Sequence, residues 1–193
     1  MVMLLWVAGL LVAPLQDPEP RLRARLDPAT ARAVEEVLDA ARAKALPTEP
    51  LVQKALEGQT KAAPSARIVA AVEALLRGLD EARQALGSSA AAEELQAGAL
   101  WLRSGGSSEQ LSRMRRAAPN RSLAVPIAVS SELLARGWPA LEAGPALERL
   151  LEARVSDAAF LSLRAGVDAA VKGGGSLVPA VRAEVTRLAG RRP

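Results

Sequence analysis

The sequence predicts an all-α fold, an irregular helical bundle or a short array of about 7–9 helices. Three observations point there. Half of the residues are hydrophobic but only 2% are aromatic, so Leu, Val, Ile and Ala must build the core. Strands prefer β-branched and aromatic side chains; Tyr is absent and Phe160 is the only Phe. The dominant residues are instead Ala, Leu, Arg and Glu, the strong helix formers, and they recur at spacings of three and four between capping residues.

At 193 residues the chain suits one domain. Its amino-terminal stretch, "MVMLLWVAGLLVAPLQDPEP", is apolar from Val2 to Ala13 and then turns polar and Pro-rich. That run is shorter than the ~20 residues that cross a bilayer, so no transmembrane helix is expected. It matches the length of a secretory h-region. Two details run against this: no Lys or Arg precedes the run, and cleavage after Ala13 would leave Pro14 first. The expected organisation is a signal peptide-like segment at 1–13, a flexible lead at 14–26 and one helical domain at 27–190, with an exported, periplasmic or extracellular location.

The helices follow in order. Asp27–Pro28 supplies an N-cap with Pro in the first turn, followed by Ala31, Val34, Val37, Leu38 and Ala41 at helical spacing. Thr48 is placed to cap a short helix running from Glu49 to Glu57, with Gly58 leaving it at positive φ. Ser65 opens the clearest helix, whose stripe is Ile68, Val72, Leu75, Leu79, Ala82 and Leu86, and Gly87 ends it. Further starts are signalled at Ser88–Ser89, Ser107–Ser108, Ser122, Pro139, Ser156 and Ser176. Successive starts lie 17 residues apart from Pro47 to Pro64 and again from Pro139 to Ser156. The other steps are 18 and 20 residues, Ser89 to Ser107 and Ser156 to Ser176, a weak period of one helix and one turn. The aromatic pattern of tetratricopeptide repeats has no counterpart. Gly173–Gly174–Gly175 is expected to act as a hinge.

Composition removes more activities than it names. Without Cys there is no disulfide, thiolate nucleophile or thiolate zinc site. Without His, the commonest general base and transition-metal ligand are missing, so serine triads and His–Cys dyads cannot form. No calcium-loop pattern of spaced acids is present, and no cofactor is expected. The adjacent carboxylates Glu35–Glu36, Asp80–Glu81 and Glu93–Glu94 diverge by about 100° on a helix and do not face a common substrate. A net charge of +4, spread along the chain, describes a solvated surface and leaves nucleic acid a disfavoured partner.

Two stretches are the candidate sites. The first is "LPTEPLVQKALEGQTKAAPSARI", which holds Lys54 and Lys61 in a chain with 21 Arg and only 4 Lys. Its candidate interaction residues are Lys54, Glu57, Gly58 and Lys61. Glu57 lies three residues after Lys54 and four before Lys61, so ion pairing within a capped joint competes with ligand contact. The second is "LRSGGSSEQLSRMRRAAPNR", where Arg103, Arg113, Arg115, Arg116 and Arg121 have only Glu109 nearby in sequence. Guanidinium forks bind oxyanions bidentately, and the helix start at Ser107–Ser108 adds N–H donors. Trp101 beside it is expected in the core.

From Pro47 through Pro64 the chain reads P-x-x-P-L-x-x-K-A-x-E-G-x-x-K-x-x-P. This pattern resembles a segment of uncharacterised bacterial exported helical proteins. The resemblance continues through "SARIVAAVEAL" and "RSLAVPIAV", covering residues 28–190. It implies an exported helical protein and carries no activity, ligand or catalytic residue. Where that pattern often has Gly after the second Lys, this chain has Ala62, which disfavours a tight second turn there.

The functional expectation is a non-catalytic exported module acting through another envelope protein. The alternative is a binder of an anionic envelope component, such as an acidic polymer, through the arginine patch. A carboxylate-dependent hydrolase ranks third.

Overall fold

A computed structural model describes residues 18–190; the signal peptide-like segment at 1–13 lies outside the described residues. Those residues form ten helices and no strand, in keeping with the expected all-α array and one above its upper figure of nine helices. They are α1 (Pro18–Arg23), α2 (Pro28–Ala43), α3 (Glu49–Thr60), α4 (Ser65–Leu86), α5 (Ala92–Arg103), α6 (Ser108–Ala117), α7 (Ala124–Ala135), α8 (Ala140–Glu152), α9 (Asp157–Lys172) and α10 (Leu177–Ala189).

Packing runs mainly between helices two apart in the chain. One row places α2 on α4, α4 on α6, α6 on α8 and α8 on α10. The other places α1 on α3, α5 on α7 and α7 on α9. Consecutive helices join the rows, most closely α3 to α4, α4 to α5 and α9 to α10. This is a helical array, the architecture of stacked solenoids. The 22-residue α4 touches α2, α3, α5 and α6, so its stripe is the centre of the core. Ile68, Val72, Leu79, Ala82 and Leu86 are buried as expected, whereas Leu75 is only half-buried.

The extra helix comes from the segment expected as a flexible lead. From Pro18 onward it is helical, and Leu22 and Leu26 are 0% and 6% exposed. Two of its arginines are anchored too: Arg21 reaches Glu49 of α3 at 3.0 and 2.9 Å, and Arg23 reaches Glu35 of α2. Two leucines four apart make a stripe too short to recognise without the helices that bury them.

The weak sequence period has a local cause. Five junctions share one four-residue corner: 61–64, 104–107, 136–139, 153–156 and 173–176. Each runs from C-cap to a left-handed residue, then a residue whose N–H returns to the preceding helix, then the next N-cap. The left-handed residues are Ala62, Gly105, Gly137, Arg154 and Gly174, with φ of 51°, 98°, 106°, 54° and 91°. Behind them Ala63, Gly106, Trp138, Val155 and Gly175 donate to carbonyls of Gly58, Trp101, Leu133, Leu150 and Ala170 at 2.9–3.0 Å. This is the Schellman closure of a helix end. The α2–α3 junction uses it as well, with Ala45 at φ 51° and Pro47 inserted before the N-cap.

Three expectations change accordingly. Gly173–Gly174–Gly175 is not a free hinge but the same capped corner as 153–156, and the helices it joins pack closely on each other. Gly58 does not end α3: the helix continues to Thr60, and the positive φ falls on Ala62, where a tight turn was disfavoured. The start signals at Ser88–Ser89 and Ser122 sit ahead of the actual N-caps, Ala91 and Leu123, while Ser107, Pro139, Ser156 and Ser176 are N-caps as expected. Thr48 is an N-cap by position, but its side chain accepts no capping bond. Asp27 does, from Ala29 and Thr30 at 3.1 and 3.0 Å. The Thr30 hydroxyl and N–H, helped by Ser65 and Ala29, hold its carboxyl at about 2.

Left-handed backbone strains an alanine and suits glycine. Replacing Ala62 by Gly, and Ala45 by Gly, should therefore each raise the melting temperature, although the added freedom of the unfolded chain offsets part of the gain. The expected net gain is a few tenths of a kcal/mol up to about 1. A fall in Tm for both would show that these corners are held at no strain.

Candidate functional site

In the first candidate stretch the side chains sort by helix face. Leu51, Val52 and Ala55 of α3 are buried, while Lys54, Glu57 and Lys61 follow one another on the outer side. Glu57 accepts from Lys54 at 2.9 Å and also from Lys61. These two ammonium groups, Lys61 first, hold the Glu57 carboxyl at about 2. Gly58 has a different task from the one expected of it. A Cβ there would stand 2.9 Å from Ile68 Cγ1, so glycine lets α3 and α4 approach. The four residues therefore form a closely packed joint carrying a satisfied surface triad.

Exposed ion pairs contribute little. The Lys54→Ala, Lys61→Ala double variant should melt within about 3 °C of the parent in a thermal scan. A larger drop would make the triad a structural element in its own right.

The arginine stretch is assembled differently from its sequence. Four carboxylates, one on α6 itself and one each on α5, α8 and α9, meet three of its guanidiniums. Arg113 of α6 bonds Glu109 at 2.8 Å and Glu148 of α8 at 2.9 Å, and the Glu148 contact leads in holding its guanidinium protonated. Arg115 pairs with Glu94 and also donates to the carbonyl of Arg121 at 3.0 Å. Arg121 pairs with Asp157 and donates to Val155 O at 2.6 Å. So these arginines face Glu148, Glu94 and Asp157 as well as Glu109, the only acid near them in the sequence. Arg103 and Arg116 are exposed, with no partner among the described residues. Trp101 is fully buried, as expected, and its Nε1 donates to Ser107 O at 3.2 Å.

Glu94 is the residue at this site that sequence reasoning passed over. It is 5% exposed and serves three elements. Oε2 accepts from Ala91 N at 2.9 Å at the start of α5, and Oε1 accepts from Leu123 N at 2.8 Å at the start of α7. Arg115 of α6 completes the set. Burial alone would push the carboxyl up; the Leu123 and Ala91 N–H groups and Arg115 together hold it below its ordinary value. The one sequence clue was its place three residues into a helix, where Glu reaches back to the cap N–H. Its neighbour Glu93 is exposed, so this carboxylate pair diverges as expected.

Two surface depressions among the described residues bear on function. A cleft of about 690 Å³ opens between α1 and α3, and a polar groove of about 640 Å³ lies between α4 and α6. The cleft was not foreseen, because one of its walls is the helix hidden in the expected lead. Among the described residues no group of three or more acidic, His or Cys side chains is placed to hold a metal ion, and no helix is long and apolar enough to cross a membrane.

The comparisons with known proteins give no relative: no family model, curated protein or solved structure matches the chain.

Proposed function

We propose that this chain is an exported, non-catalytic helical module that works through protein contacts in the cell envelope. The observation that carries the reading is the array itself. Among the described residues, most of the ion pairs that join different helices bridge helices two apart, as in Arg113–Glu148, Arg136–Asp168, Arg164–Glu132 and Arg182–Glu142. Charged side chains are thereby committed to holding the rows in register. What the molecule offers outward is an extended run of helix faces, the surface by which stacked arrays bind other proteins. The apolar amino-terminal run supports export, and a relation to uncharacterised bacterial exported helical proteins belongs to the same reading. The anionic-component alternative loses Arg113, Arg115 and Arg121, which have internal partners.

Export is tested first. A reporter fused after Pro20 should leave the cytosol, and the mature chain should begin at about residues 14–18. Cleavage there leaves α1 whole. Retention of the intact chain in the cytosol overturns the localisation. Partner chemistry is read by pull-down from nuclease-treated envelope extract. A protein recovered at fixed stoichiometry supports the reading, and recovery of acidic polymer alone overturns it.

A further inference from the structure

We propose that the cleft between α1 and α3 binds a small anionic amphiphile, a single carboxylate or phosphate head on an aliphatic body. At about 690 Å³ its volume falls within the range of small-ligand sites. Pro20 and Ala24 from one side and Leu56 from the other give it an apolar lining. Four of the lining residues are polar, and they divide clearly. The Arg21 guanidinium is held by both oxygens of Glu49, and the Thr60 hydroxyl donates to Leu56 O at 2.9 Å. Arg25 and the Gln59 amide have no partner among the described residues. Among the described residues no carboxylate lines the cleft. One uncompensated cation and one free amide beside apolar walls complement a ligand with one anionic head and an apolar remainder. This site is separate from the arginine stretch on α6, and it stands whether or not the chain is exported.

The test uses the full chain and 11-(dansylamino)undecanoic acid, titrated below its micelle concentration and read by fluorescence. One saturable site per chain is expected. Dodecanoate and dodecyl phosphate should displace the probe, while dodecanol and inorganic phosphate should not. Arg25→Gln should weaken binding at least tenfold, about the 1.4 kcal/mol within reach of one charge-assisted hydrogen bond. Ala24→Phe should abolish it by filling the cleft. Both positions are exposed, so the fold is expected to survive, with far-UV circular dichroism as the check. The proposal is overturned by binding that does not saturate, or by folded Arg25→Gln and Ala24→Phe variants that bind like the parent. It is equally overturned if dodecanol displaces as well as the acid, or if inorganic phosphate displaces at all.

Discussion

Glu94→Ala should destabilise the fold by about 3–5 kcal/mol, the cost of stranding one member of a buried ion pair. Arg115 is left with an uncompensated charge, and its Nε already has no partner in its buried position. The N–H groups of Ala91 and Leu123 lose their acceptor at the same time. For a chain of this size the shift in Tm is about 6–20 °C. Glu94→Gln keeps one acceptor oxygen but removes the charge, so it should fall between the parent and the alanine variant. The pH dependence has a definite sign. The folded carboxyl sits below its ordinary value, so the unfolded chain takes up the proton first as pH falls. Its stabilisation is fully present above the usual glutamate range near 4.3 and is lost as pH drops through the folded value. The Tm gap between parent and Glu94→Gln should therefore narrow from pH 6 towards pH 3. A gap that stays constant would mean that Glu94 acts by shape alone.

Leu79→Asp should be at least as damaging, costing upwards of about 4 kcal/mol, because it places a carboxylate with no partner at the centre of α4. Leu79 is 0% exposed and faces the core. A whole domain is stable by only about 5–15 kcal/mol, so a largely unfolded far-UV spectrum at 37 °C is within the expected range. Leu75→Asp, on the same helix, is the internal control. That side chain is half-buried, and its new charge can turn towards water. If both variants melt alike, α4 does not sit with the face described above.

Comparing these two positions shows how far the sequence reaches. The period of α4 identifies its stripe, and five of the six residues chosen by spacing are buried. Period alone does not separate Leu79 from Leu75, since the edge of a stripe is defined by how closely the neighbouring helices approach. The same limit applies to Gly58. Positive φ was a sound expectation for a glycine near a helix end, yet closeness to Ile68 determines its role.

The chain by itself determined the fold class, most helix starts and the stop of α4 at Gly87. Those features depend on cap chemistry and on spacing within a few residues, so Asp27, Ser107, Ser156 and Gly87 announce them locally. It also determined which chemistries are absent, because a chain without His or Cys lacks them in any fold. Tertiary structure decided the partners. Arg113 meets Glu148 across 35 residues and Arg182 meets Glu142 across 40, roughly one helix pair along the array. Such separations follow from which helix packs beside which. It likewise turned the expected lead into a wall of the α1–α3 cleft and drew Glu94 into the core. A carboxylate becomes a three-way clamp only when burial removes water and three elements converge on it, and no spacing along one helix encodes that convergence.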